Sequence, residues 1–312
     1  MNVVLSGIFY PLAILRYFEA ALRRRADISL YTAGPWTGVW IPWNAGMHLP
    51  ARYTTAPDLP LPQSAIGLPL PIGFVEAKLP WKPDLWLQVD AGWRLRGRPR
   101  QGKNIVVGTD PHVLNYDEAR RQADTFYCMQ ACYGQGDDCY LPYAYDPIWH
   151  APEEQPRRYD ACLLGLHYEQ RDQWVAALRA RGLNVCYDLG PVYDDARALY
   201  NQAPIGLNWS SLQDLNARVF ELLGMGRLAV VNRVPDLATF FEDGRDLVAF
   251  DGLEEAVEKT LYYHAHPDEA RVIAAHGHET VKPHTWDARV AQILREVPAP
   301  QGSRGRGEDA SV

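Results

Sequence analysis

Short apolar runs recur along this chain, each ending in small or polar residues before a stretch of helical spacing begins. "NVVLSG" is followed by "AILRYFEAALRRR" and then "DISLYTAG", which reads as strand, helix, strand. Strand patterns return in "PDLWLQVDAG" and "KNIVVGTD", a helix in "YDEARRQA", and apolar runs in "DTFYCMQ" and "CYLPYAYDPIW". After the polar, proline-containing "HAPEEQPRR" the alternation starts again with "YDACLLGL", "EQRDQWVAALRARG", "LNVCYDLG", "DDARALYNQ" and "APIGLNWS". Three amphipathic segments, "EEAVEKTLYYHAH", "PDEARVIAAHGHETV" and "TWDARVAQILREV", follow near the end. Such alternation predicts parallel sheets covered by helices. The expected fold is α/β, with two Rossmann-like, doubly wound domains, residues 1–150 and 151–297, facing each other across a cleft. The tail 298–312 is expected to be disordered. Eight prolines fall between Pro50 and Pro83, so residues 34–83 are expected to be loop with little regular structure.

A chain of 312 residues that is 47% hydrophobic and 22% charged has enough apolar mass for two cores. Its net charge of −7 argues against a protein that is basic overall and binds nucleic acid. "MNVVLSGIFYPLAIL" lacks the basic start and small-residue cleavage site of a signal peptide. No stretch reads as a membrane span. Five scattered cysteines, an odd number, fit a reducing cytoplasm better than a disulfide framework.

The most informative stretch is "DLNARVFELLGMGRLAVVN", residues 214–232. If a helix starts near Ala217, Asn216 is its N-cap, and the free N–H groups and helix dipole there favour an anion. Arg218 in the first turn adds a bidentate donor suited to phosphate oxygens. Glu221, about one turn on, accepts hydrogen bonds from a vicinal diol such as a ribose. Phosphate followed by ribose is the outline of a nucleoside diphosphate. The plainer alternative is a surface ion pair between Arg218 and Glu221, spaced i,i+3 on a helix.

The run "LNWSSLQDLNARVFELLGMGRLAVVNRVPDLATFFEDGRDLVAFD" resembles the donor-binding half of GT-B glycosyltransferases, most nearly the spore-protein CgeB-like group within the "glycosyl transferases group 1" set. The likeness extends through "DACLLGLHYEQRDQWVAALRARGLNV", "LYNQAPIGLN" and "HTWDARVAQIL". In the first half it is carried by "GTDPHVLNYDEARRQADTFYCMQ" and "YLPYAYDPIWHAP". The resemblance implies sugar transfer from a nucleotide-sugar donor, with UDP-sugar as the expected co-substrate and no separate cofactor. Related retaining enzymes carry two glutamates with seven residues between them, the first near the sugar and the second on the ribose. Glu221 matches the second, whereas Gln213 stands at the first, with Asp214 beside it. GT-B enzymes generally work without a metal, and no Asp-x-Asp pair occurs here to hold one. The resemblance further places the base near Tyr187 and the backbone of 188–190. Gly165, His167, Ser210 and Ser211 are expected near the donor.

The first half is then expected to hold the acceptor. Asp110 and His112, just past a strand in "VVGTDPHVLNY", are candidates for a general base or for orienting substrate, against a plain role in the turn at Pro111. Ser6 and Gly7 are expected on the same wall. Trp36, Trp40 and Trp43 read as a small private core of the proline-rich loop rather than a sugar platform. Cys128, Cys132 and Cys139 lack the paired spacing of a zinc site, and the histidines at 264, 266, 276, 278 and 284 read as surface residues. "WRLRGRPRQGK" carries Arg94, Arg96, Arg98, Arg100 and Lys103. It reads either as a solvated hairpin or as a contact for a phosphate-rich acceptor such as DNA with a modified base. The acceptor classes in view are therefore a glycan, a small alcohol or modified DNA. A nucleotide-sugar epimerase or hydrolase, or a non-catalytic nucleotide-sugar-binding protein, are the alternatives to a transferase.

Overall fold

Each of these apolar runs becomes a strand in one of two sheets whose strand pairs are all parallel. The structure, a computed structural model, describes residues 1–38, 49 and 54–297. The first lobe runs β1 (Asn2–Gly7), α1 (Leu15–Arg23), β2 (Ser29–Pro35), β3 (Leu59–Leu61), α2 (Ile72–Glu76), β4 (Leu85–Asp90), β5 (Lys103–Gly108), α3 (Asp117–Gln122), β6 (Thr125–Cys128) and β7 (Cys139–Tyr140). Its strand order is β3-β2-β1-β4-β5-β6-β7. The second lobe runs β8 (Ala161–Leu164), α4 (Glu169–Ala180), β9 (Val185–Asp188), α5 (Tyr193–Asn201), β10 (Ile205–Asn208), α6 (Ala217–Gly224), β11 (Leu228–Asn232) and β12 (Val248–Phe250). Helices α7 (Leu253–Ala265), α8 (Pro267–Val281) and α9 (Trp286–Leu294) complete it, and its strand order is β12-β11-β10-β8-β9. Strands such as β4, buried along their whole length, are continuous apolar runs because helices cover both sheet faces. The strand order reverses between β1 and β4 in one sheet and between β8 and β10 in the other. Sheets of this kind bind ligands at those reversals, beyond the carboxyl ends of the strands.

Two expectations are corrected by the topology. Residues 59–61 form a strand inside the segment read as irregular, with Pro60 opposite Gly34 of β2. A proline is tolerated there because β3 is the edge of the sheet and its outer side needs no ladder donor. The arginine-rich stretch is not a hairpin either, since β4 and β5 pair parallel and the chain must cross back to the amino end of the sheet. On the way its cations meet carboxylates: Arg94 lies 3.3 Å from Asp90, Arg98 3.3 Å from Asp124, Arg100 3.9 Å from Glu76, and Arg96 pairs with Glu118. Lys103 meets Glu296 at 2.9 Å at the amino end of β5, opposite the strand ends that form the cleft. Trp36 is partly exposed and donates its indole N–H to the Thr54 carbonyl, whereas Trp40, Trp43 and the tail 298–312 lie outside the described residues. Among the described residues no helix is long and apolar enough to cross a membrane.

The lobes are tied together by the end of the chain. Helix α9 packs on α1 of the first lobe, where the Trp286 ring stacks on Tyr17 at 5.4 Å and 5° and tilts against Phe18 at 5.1 Å. Arg24, just past the end of α1, forks the Asp287 carboxylate at 2.9 and 2.8 Å. Beyond the helix, Glu296 accepts from Lys103, Thr125 and Tyr127. Trp286 is fully buried, so Trp286→Ala is expected to cost ~3–5 kcal/mol through lost burial and a cavity. Urea unfolding measures this, and a loss under ~1 kcal/mol would contradict a latching role for α9.

Candidate functional site

At the second strand reversal, β8 ends in Leu164 and Gly165 while β10 runs into Trp209. Arg171, buried in α4, clamps the two strand ends together. Its Nε and Nη2 donate to the Trp209 carbonyl at 3.0 and 2.8 Å, and its Nη1 donates to the Leu166 carbonyl at 3.0 Å. Gly165 has φ +142°, and a Cβ there would lie 2.9 Å from Arg171 Nη1, so backbone and guanidinium approach closely only because the residue is glycine. Arg171 carries no sequence signal, since a cation in the polar helix "EQRDQWVAALRARG" reads as one more solvated charge.

Helix α6 begins beside this strand end. Asn216 Oδ1 accepts from the Arg218 N–H at 3.1 Å, the N-cap expected from the sequence. The Arg218 side chain donates from Nε to Glu221 at 2.9 Å and from Nη1 to both the Leu164 carbonyl and the Tyr200 hydroxyl. Arg218 and Glu221 thus do form the i,i+3 pair, but between the lobes rather than on the surface, and Glu221 is only 9% exposed. Burial opposes the charge of Arg218, yet the Tyr200 oxygen and the Glu221 carboxylate outweigh it and raise its pKa. Burial likewise opposes the charge of Glu221, and His150 with Arg218 brings its pKa below the ordinary carboxyl value.

The first lobe closes the other side. Tyr17 of α1 faces the same cavity as Glu221, and His150, in the segment joining the lobes, has Nε2 3.6 Å from the Glu221 carboxylate. The Tyr193 hydroxyl donates to the Pro11 carbonyl across the gap. Between these residues lies a cavity of about 310 Å³, with Leu12 and Ile14 on one wall and Gly165, Leu189, Val192 and Met225 on the other. A wider hollow beside Arg233 is already neutralised, because that guanidinium pairs with Asp243 and Asp251.

Residues 150–295 match the family described as "Glycosyl transferase-like". Among curated proteins none matches the chain in sequence. Among solved structures, sucrose-phosphate synthase from Thermosynechococcus elongatus superposes with TM-score 0.66 at 13% identity, covering 95% of this chain and 98% of that one. Anabaena HepE in complex with UDP-glucose gives TM-score 0.66 at 10% identity, covering 95% and 100%. An α-glucosyltransferase in complex with UDP and a 13-mer DNA gives 0.64 at 10%, covering 95% and 98%. The fold is GT-B.

Within this GT-B cleft the other expected residues fall in different places. His167 and Tyr187 stack on each other at 4.0 Å, and the Tyr187 hydroxyl donates to Asp172 at 2.7 Å. Neither lines the cavity, because side chains alternate along β9 and Tyr187 packs on the opposite sheet face from the cluster that holds Cys186 and Tyr200. The amides of Leu189 and Gly190 are taken by Asp188 Oδ1 at 2.7 and 3.1 Å, so they do not offer themselves to a base. Ser210 is buried, with its N–H on Asn232 at 2.7 Å and its hydroxyl on Asp214, so both groups brace the loop. Ser211 and Gln213 are exposed, and Gln213 has φ 58°.

The first-lobe candidates sit beyond the cavity wall. Asp110 accepts from the Thr109 hydroxyl, and its N–H donates to the Tyr116 oxygen at 3.1 Å. His112 lies 6.1 Å from the Tyr133 ring, with a buried Nδ1 that has no hydrogen-bond partner among the described residues. Burial, then Asp110 and Asp214, raise the pKa of Tyr143, whose hydroxyl donates to the Thr109 carbonyl at 3.0 Å. Ser6 and Gly7 end β1 at the first strand reversal, with the Ser6 hydroxyl buried and without a hydrogen-bond partner among the described residues. Gln130 reaches from the first lobe to the Leu215 carbonyl at 3.4 Å, so the start of α6 lies in the gap and not in bulk solvent. Cys128, Cys132 and Cys139 are free thiols. Arg171→Lys keeps the charge but loses the fork, and it is expected to lower stability by ~2–3 kcal/mol. Thermal unfolding measures this, and a lysine variant as stable as the parent would remove the clamp from the account.

Proposed function

We propose that the protein transfers a glycosyl group from a nucleoside-diphosphate sugar, of the UDP-sugar class, to an acceptor hydroxyl. The observation that carries this reading is the convergence of Arg218 and Glu221 beside the carboxyl end of β8, in a cavity between the lobes. On this reading the ribose donates to Glu221, and the diphosphate lies at the start of α6 beside Arg218. Support comes from the glycosyl transferase-like match over residues 150–295 and from the UDP-glucose bound by HepE, whose fold this chain shares. The Asn216-x-Arg218-Val219-Phe220-Glu221 run supports the finer resemblance to the CgeB-like group.

Cleavage of the glycosyl–phosphate bond builds negative charge on the departing diphosphate. Arg218 is already fixed and charged before the reaction, so it stabilises that charge without reorganising. Arg218 and the α6 dipole supply the positive potential, so the proposed reaction includes no divalent cation. The acceptor enters from the first lobe, where His112, with its unpartnered Nδ1, is the candidate to orient or deprotonate its hydroxyl. A glycan or small alcohol is preferred to DNA, because Arg94, Arg96 and Lys103 of the 94–103 stretch pair with Asp90, Glu118 and Glu296, which leaves only Arg98 and Arg100 more than half exposed.

The test is a screen of nucleoside-diphosphate sugars for thermal stabilisation, followed by transfer assays with glycans and alcohols. Arg218→Ala is expected to lower the transfer rate constant by about 10²–10³-fold. Glu221→Ala is expected to act mainly on nucleotide affinity, weakening UDP about tenfold or more. Undiminished UDP affinity in Glu221→Ala would refute the ribose role, and turnover of donor at the same rate with and without every acceptor would favour a hydrolase or epimerase.

A further inference from the structure

The Glu221 carboxylate is approached by cationic or N–H groups from two parts of the chain. Arg218 Nε holds one oxygen at 2.9 Å, and His150 Nε2 faces the other at 3.6 Å, a contact longer than a hydrogen bond. The protonation of His150 follows from its second nitrogen. Nδ1 lies 3.0 Å from the Asp146 N–H and can only accept there, so a neutral ring carries its proton on Nε2. Nε2 is also 3.5 Å from the Tyr17 oxygen, which places the imidazole edge between the phenol and the carboxylate. Burial lowers the pKa of His150. The turn bearing it is braced: Asp146 Oδ1 accepts from the Ile148 and Trp149 N–H groups at 2.9 and 3.3 Å, and Asp146 Oδ2 pairs with Arg24 at 2.9 Å.

A glutamate ends in a broad sp³–sp² torsion, and a single bond from Arg218 leaves that torsion soft. Two adjacent hydroxyls on a furanose need both acceptor directions of one carboxylate held in a fixed plane. An imidazole N–H edge set against the second oxygen narrows that torsion. We propose that His150 is a positioning residue for Glu221, and that through it the site distinguishes a ribose from a 2′-deoxyribose. This rests on the reading of Glu221 as the ribose acceptor.

The experiment compares UDP with 2′-deoxy-UDP by calorimetry in the full chain and in His150→Leu, His150→Gln and Glu221→Ala. If UDP does not bind, ADP or GDP and their 2′-deoxy forms take its place. The parent is expected to favour the ribonucleotide by about tenfold. His150→Leu should weaken the ribonucleotide about tenfold, change the deoxynucleotide less than about twofold, and bring the ratio towards one. His150→Gln, whose amide N–H reaches the Nε2 position, should restore most of the ratio. Should the leucine variant fail to fold, His150→Asn, which keeps a polar group near Nδ1 and lacks the Nε2 donor, gives the same comparison. Equal weakening of both nucleotides in the donor-less variant would mean packing alone, and an unchanged ratio would also overturn the proposal. A ratio that survives Glu221→Ala, or no binding of any ribonucleotide, defeats the ribose reading itself. A ratio lost in Glu221→Ala but kept without the His150 donor defeats only the inference about His150.

Discussion

A guanidinium with most of its surface out of water is tolerable only when acceptors are built around it, and Arg218 has three. They come from three elements: the Leu164 carbonyl at the end of β8, the Tyr200 hydroxyl of α5 and the Glu221 carboxylate of α6. That convergence depends on strand order. Helix α6 follows β10, and β10 lies next to β8, so the start of the helix falls beside the end of β8. With any other neighbour for β10, Arg218 would lose the Leu164 carbonyl and keep its desolvation cost. The site is therefore a consequence of the sheet, and Arg171, tying Leu166 to Trp209, holds the same two strand ends in register from the opposite face.

The cleft is bounded by packing as much as by charge. Tyr17 is stacked on Trp286 and lies 5.2 Å from Trp149, whose ring meets Tyr193 edge-on at 4.8 Å. Tyr193 also donates to the opposite lobe, at the Pro11 carbonyl. Aromatic rings with a polar tip suit this task, since the face adds apolar contact while the hydroxyl satisfies a buried acceptor. The polar groups of the cavity are concentrated around Arg218 and Glu221, and the surrounding wall is largely aliphatic. A small set of fixed polar groups in an apolar wall is what orients a ligand of nucleoside size.

What could be read in advance was what depends on near neighbours in the chain. The N-cap at Asn216 rests on two residues of spacing, and Gly182 closing the helix before β9 rests on its own φ of +91°. The two parallel sheets followed from alternating apolar and helical segments. The arginine stretch was misread because its partners Glu76, Glu118 and Glu296 belong to other elements, and local composition says nothing of them. Tyr187 falls outside the cavity for a different reason: one residue of strand parity decides which sheet face a side chain takes. Tyr17, His150 and Arg171 gave no signal, because each acts only where the fold brings distant segments together.

Gln213 shows how far the motif itself constrains the chemistry. It stands where related enzymes carry the glutamate nearest the sugar, and its backbone is left-handed, at φ 58°. That conformation costs ~1–2 kcal/mol for a residue with a side chain, so neighbours must hold it. They do: the Ser210 hydroxyl closes on Asp214 just before, and Asn216 caps α6 just after, which leaves the intervening backbone little freedom. The loop shape is thus set without help from the side chain at 213, and that side chain is left exposed. A carboxylate there only accepts hydrogen bonds, whereas an amide both accepts and donates. On the proposed reading, a sugar beside Gln213 meets no negative charge and finds a donor as well as an acceptor. The electrostatic work of the site then falls on Arg218 and the start of α6.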